Sequence, residues 1–164
     1  MAGSPRVAHT RHAQETRALA EALGSRLRAG TVVGLIGPLG AGKTAFAQGL
    51  ARGLGLPPEA RVKSPTYSYV DVHMGGRLPL IHADLYRLGS LAGLEEIGWE
   101  ELVEPEGVCV VEWADRLPEA MPPRWLRVEM EHLPEGRRIT LAPIGGGGAE
   151  AVDALPSALL GSPP

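Results

Sequence analysis

Gly37-Pro38-Leu39-Gly40-Ala41-Gly42-Lys43-Thr44 restricts this chain more than any other stretch, because it meets G-x-x-x-x-G-K-[ST] at every defined position. A polyphosphate laid against backbone needs successive N–H groups to converge on its oxygens, and glycine at positions 37, 40 and 42 permits that approach. Lys43 then supplies a point charge for the outer phosphates, and Thr44 a hydroxyl for the magnesium that bridges them. Both would open a helix, where the dipole already favours anions. The pattern has this meaning only between a strand and a helix. Thr31 to Ile36 is a short apolar run suited to a buried parallel strand. Beyond the loop, Phe46, Leu50 and Leu54 recur every fourth position, one stripe of a helix that stops near Gly55 and Pro57.

The chain has 164 residues, which predicts one domain with a real core. No apolar run approaches the length of a membrane span, and the Arg- and His-containing start lacks the apolar centre of a secretion signal, so a cytoplasmic protein is expected. The single cysteine, Cys109, sits inside an apolar run and reads as a small buried packing residue. A formal net charge of -3 gives no general pull toward nucleic acid.

Along the chain, residues 1–9 read as a loose start, 10–144 as a P-loop domain and 145–164 as a flexible Gly/Pro/Ala-rich tail with at most a weak helix near Ala151 to Leu160. Thr10 is placed to cap a helix running to about Arg28, with Leu19, Ala22, Leu23 and Leu27 as its apolar stripe. Tyr67–His73 and Arg77–Asp84 predict a hairpin around Met74-Gly75-Gly76. Ser90 to Leu102 has a helical pattern interrupted at Gly98, which predicts two short helices with Leu91, Leu94, Ile97 and Leu102 inward. Gly107 to Trp113, a continuous apolar run carrying an acid at its end, predicts another buried strand. Trp125–Glu131 and Arg138–Leu141 predict a closing antiparallel pair. The sum is an α/β three-layer P-loop domain: a mixed, mainly parallel sheet with one hairpin insertion, the C-terminal antiparallel pair, and helices on both faces.

A P-loop enzyme needs an acid at the end of a neighbouring strand to hold magnesium or its waters. Asp84 and Glu112 each follow an apolar run that carries them to such an edge, although a strand-end carboxylate is as often merely solvated. Thr66 stands in a polar loop where switch-type loops place a hydroxyl on the γ-phosphate, against the plainer reading of a strand-starting threonine. Tyr67, Tyr69 and Tyr86 offer stacking surfaces but fit packing as well, while Trp113 at a strand edge fits a place near the nucleotide or a partner. The histidines His9, His12, His73, His82 and His132 show no metal spacing and read as solvated or core residues. Arg87, Arg137 and Arg138 offer phosphate or ribose contacts, with solvated surface as their default. The chain contains no asparagine, hence no N-K-x-D guanine reader, and no aspartate is followed three residues later by glycine. ATP is the better-supported nucleotide.

GPLGAGKT, VKSPTYSYV, HADLYRL, LEEIGWEEL and VVEWADRLP, in this order and at these separations, resemble the bacterial TsaE (YjeE) family from about residue 10 to about residue 142. SPTY with DLYRL and EW is far more specific than a P-loop alone. The resemblance implies a small ATPase that works with TsaB and TsaD to place threonylcarbamoyl on an adenosine beside the anticodon of tRNAs reading ANN codons. The tRNA itself would be met through that complex. By the same resemblance, Gly37, Pro38, Leu39, Gly40, Ala41, Gly42, Lys43, Thr44 and Ala45 hold the phosphates, and Ser64-Pro65-Thr66 takes a switch-like role. Asp84 and Glu112 surround magnesium and the attacking water, with Glu112 favoured for metal contact alongside Thr44. Trp113 adjoins the nucleotide, Thr16 matches a position near the adenine, and Arg137 one that reaches the nucleotide.

Three positions depart from the family pattern: Pro38 replaces aspartate, Ala45 threonine and Ala83 phenylalanine. Pro38 removes one N–H from the start of the loop, while the cradle draws mainly on later ones. Two other functions share the same loop. A small-molecule kinase would need an acceptor pocket and an arginine-rich lid, and a non-catalytic module would bind ATP without turning it over.

Overall fold

The apolar run before the glycine-rich loop is the middle of the sheet. A computed structural model describes residues 3–65, 69–86, 90–96, 98–102 and 106–161. Among them the strands are β1 (Arg6–Thr10), β2 (Val32–Ile36), β3 (Val70–His73), β4 (Leu80–Asp84), β5 (Val108–Glu112), β6 (Trp125–Leu133) and β7 (Gly136–Ile144). They lie in one sheet in the order β1-β7-β6-β2-β5-β4-β3. The four central strands β6, β2, β5 and β4 run parallel, and the outer pairings are antiparallel. Parallel strands covered on both faces must be apolar throughout, which is why Val32–Leu35 and Val108–Val111 are buried without alternation.

The helices are α1 (Ala13–Gly24), α2 (Lys43–Gly53), α3 (Leu91–Glu96), α4 (Trp99–Leu102) and α5 (Ala149–Asp153). One face of the sheet packs Leu19, Leu23, Phe46, Leu50 and Val152 against Val33, Val110 and Val128. Leu94 and Trp99 cover the other face with Cys109 and Val111. Each large apolar side chain buried in this way contributes about 1.5–3 kcal/mol. The result is three layers with helices on both faces, as the sequence predicts. Helices α1 and α2 approach so closely that a Cβ at Gly49 or Gly53 would meet the Arg17 or Glu21 carbonyl. No helix among the described residues is long and apolar enough to cross a membrane.

Most predicted elements form, with shifted ends. The hairpin forms with Val70 opposite Ala83 and His73 opposite Leu80; its first strand ends at His73 as predicted, and its second begins at Leu80 rather than Arg77. Gly98 breaks the α3–α4 segment at φ +73°, and Leu94 is buried, but Leu91 is exposed. Ile97 and the Leu102 side chain lie outside the described residues. Cys109 is buried, and desolvation pushes its thiol up to about 12.

The two chain ends depart from expectation. Residues 6–10 are not loose: they pair antiparallel with 137–141, and Ala8 and Thr10 face the core. Thr10 therefore belongs to β1 rather than capping α1, which begins after His12 with no side-chain cap. Five residues of β1 show too little alternation to be read without the β7 edge that receives them. The tail is docked as well. Gly145, Gly146 and Gly148 take positive φ and turn the chain back, so Ala151, Val152 and Leu155 enter the main core. The Gly161 amide then donates to the Val7 carbonyl at 2.9 Å. If the tail is structural, Leu155→Ala costs about 2–3 kcal/mol in chemical denaturation; a change near zero would return it to the flexible class.

Candidate functional site

The parallel register of β4, β5 and β2 assembles the site. Asp84 lies opposite Glu112 across β4 and β5, and Leu35 opposite Glu112 across β2 and β5, so both acids reach the edge where β2 delivers the glycine-rich loop. Gly40 at φ +78° and Gly42 at φ +110° hold backbone that side-chain-bearing residues avoid, and nothing lies within 4 Å of where a Gly40 Cβ would stand. Gly37 is needed for a different reason: a Cβ there would sit 2.7 Å from the Met130 carbonyl, so this glycine lets the loop pack on β6.

A pocket of about 530 Å³ opens over the loop and is lined by Leu39, Gly40, Gly42, Lys43, Thr44, Ala45, Ser64, Pro65, Asp84, Tyr86, Glu112 and Trp113. Its polar end is a connected network. Ser64 Oγ lies 2.9 Å from Thr44 Oγ1 and donates to Glu112 Oε2 at 3.1 Å, and Thr44 Oγ1 stands 3.4 Å from Glu112 Oε1. Glu112 is only 2% exposed, and His82, wholly buried, places Nε2 at 2.6 Å from Glu112 Oε2. Asp84 Oδ1 accepts the Tyr86 amide at 2.8 Å.

Lys43 Nζ donates to the Gly37 carbonyl at 2.6 Å and the Pro38 carbonyl at 2.9 Å, and sits 3.9 Å from the centre of the Trp113 ring. Desolvation lowers its pKa below the usual lysine range, opposed by the charges of Glu112, Asp115 and Asp84. Trp113 holds φ 59°, ψ 41°, a left-handed conformation that costs a side-chain-bearing residue about 1–2 kcal/mol. The strained turn stands the indole between Lys43 and the Tyr86 ring, 4.9 Å away between centroids. Arg116 stacks on the outer face of Tyr86 and donates to its carbonyl at 3.1 Å.

The structure thus gathers Leu39, Gly40, Gly42, Lys43, Thr44, Ala45, Asp84, Glu112 and Trp113 around one cavity. Gly37 and Pro38 lie outside its lining and hold Lys43 through their carbonyls, and Ala41 is a buried residue of the loop. Thr16 is also fully buried, its hydroxyl 2.8 Å from that of Thr10 and its methyl on the Gly42 flank. Arg137 donates to the Gly40 carbonyl at 3.1 Å and runs beside Gly42, so both residues flank the loop rather than line the pocket. Thr66, Tyr67 and Arg87 lie outside the described residues. His82 and Arg116 are the site-adjacent residues that motif reading passed over. The signal for His82 is parity: two residues before Asp84 on the same strand, it must point to the same face.

The family model described as threonylcarbamoyl adenosine biosynthesis protein TsaE matches residues 10–139. The chain belongs to the TsaE family. The tRNA threonylcarbamoyladenosine biosynthesis protein TsaE of Treponema pallidum is 42% identical over 81% of this chain and 97% of its own length. The protein of the same description from Bacillus subtilis is 37% identical over 80% of this chain and 82% of its own length. The crystal structure of Bacillus subtilis YdiB superposes with a TM-score of 0.76 at 30% identity, covering 93% of this chain and 94% of that one. The fold is therefore shared with that protein over nearly all of this chain's length.

The left-handed turn at Trp113 makes a prediction of its own. Glycine adopts that backbone freely, so Trp113→Gly is more stable than Trp113→Ala by about 1 kcal/mol in urea denaturation. Equal stabilities, or the reverse order, would show that the turn carries no strain.

Proposed function

We propose that this chain is an accessory ATPase of tRNA threonylcarbamoyladenosine biosynthesis, working in the cytoplasm. It would bind ATP with magnesium and hydrolyse it slowly alone and faster once TsaB and TsaD engage it. The observation that carries this reading is the convergence of Lys43, Thr44, Ser64 and Glu112 at one end of the pocket over the glycine-rich loop.

The donor set fits magnesium, a hard cation that takes oxygen ligands and is commonly held by one or two carboxylates together with substrate phosphates. Among the described residues no group of three His, Cys, Asp or Glu side chains could hold a metal by itself, which matches a site completed by phosphate. Thr44 Oγ1 and Glu112 would hold the ion, with Asp84 beside Glu112 in register. When bound, magnesium neutralises charge developing on the γ-phosphate.

The chain's own groups supply the rest. Backbone N–H groups of the loop and of the first turn of α2 face the phosphates. The Lys43 ammonium, held by the Gly37 and Pro38 carbonyls, would turn to the outer phosphate oxygens once ATP is bound. Asp84 or Glu112 would orient the attacking water, and Thr66 would offer its hydroxyl to the γ-phosphate. Thr16 and Arg137 flank the loop at Gly42 and Gly40, from where they would approach the adenine and the nucleotide respectively. Leu39, 85% exposed, and Tyr86, 49% exposed, stand at the mouth of the pocket as apolar contact points for a partner.

ATP hydrolysis measured with magnesium, for the protein alone and then with TsaB and TsaD, tests the reading. Mixing should raise turnover, and Glu112→Ala and Lys43→Ala should each remove at least ~100-fold of the raised rate. Firm ATP binding with no turnover even in the mixture would leave a non-catalytic nucleotide module instead.

A further inference from the structure

His82 is a wholly buried imidazole on the face of β4 that packs toward α2, among Leu80, Val108 and Val110. Its Nε2 is 2.6 Å from Glu112 Oε2, while Nδ1 is buried with no hydrogen-bond partner among the described residues. An apolar side chain would fill that space without leaving a nitrogen unpaired. What the imidazole adds is one directed donor, aimed at the carboxylate of the site.

We propose that His82 is the positioning residue of Glu112, fixing which carboxylate oxygen faces the metal side of the pocket. An ionised carboxylate only accepts, so the imidazole donates from Nε2 and Nδ1 is left as a lone pair. Oε2 is then occupied twice, by His82 and by Ser64 at 3.1 Å. Oε1 is turned toward Thr44 Oγ1, the hydroxyl assigned to magnesium. The carboxylate is thereby held by one oxygen and presented by the other. Buried partners that orient a ligand in this way commonly govern metal affinity, whereas a merely packed histidine would govern stability alone. The inference rests on reading the pocket as a magnesium–ATP site, and it adds a residue that touches neither nucleotide nor metal.

The test is calorimetric titration of a non-hydrolysable ATP analogue into the wild type, His82→Leu and His82→Gln, each in excess Mg2+ and in EDTA. The wild type should bind more tightly with Mg2+. His82→Leu should lose about 10–100-fold of affinity in Mg2+ and none in EDTA, and His82→Gln, whose carboxamide N–H can still donate, should recover most of the loss. An NMR spectrum of the wild-type imidazoles gives a second readout that needs no variant to fold. The His82 Nε2–H signal should shift when Mg2+ joins the bound analogue. Equal losses of His82→Leu in Mg2+ and EDTA, no loss at all, or a His82 signal indifferent to Mg2+ would overturn the positioning role while leaving the nucleotide site standing. A wild type that gains nothing from Mg2+ would overturn the site reading and the positioning role together.

Discussion

The buried carboxylate of Glu112 is the constraint on which the site depends. A carboxylate 2% exposed in an apolar sheet is costly unless every lone pair is answered, and the answers come from three elements. His82 reaches it from β4, Thr44 from the start of α2, and Ser64 from the connection after α2. None of these is near Glu112 in sequence. Only the parallel register of β2, β5 and β4 brings them within hydrogen-bonding range, so misplacing one strand would leave a charge buried without partners.

The same sheet edge sets the temper of the lysine. Lys43 is held by two carbonyls and an indole rather than by a carboxylate, and burial works against its charge. The three acids that favour that charge act from a distance. Trp113 reaches its place only through a left-handed turn directly after Glu112. The buried acid and the aromatic cover are thus coupled by one covalent step, and β5 positions both.

The central fold and the phosphate loop were legible because their signals are local. An apolar run, three glycines at fixed spacing and a stripe at every fourth residue specify β2, the loop and α2 without help from the rest of the chain. The acids were legible as strand ends, although their mutual register was not. His82 was hidden because a histidine inside an apolar run reads as core, and only its distance to Glu112 distinguishes it. The chain ends were hidden for the opposite reason. β1 is too short to show its period, and the glycines of 145–148 look like a linker until Val152 and Leu155 are seen in the core. Gly37 shows a right residue with an incomplete reason: motif logic assigns it to phosphate, whereas the Met130 carbonyl already requires it.

The pairing of β1 with β7 sets the order of events during synthesis. Arg6–Thr10 are made well before 137–141, the strand that receives them. The final lock, Gly161 onto Val7, is made later still. β2, the glycine-rich loop, α2 and β5 all precede β7 in the chain, so this side of the sheet is the last to gain its partner strands. Long-range closure of this kind is slow compared with helix formation. The β1–β7 pairing therefore waits on the synthesis of β7, and β1 then stands as the outer strand of the sheet.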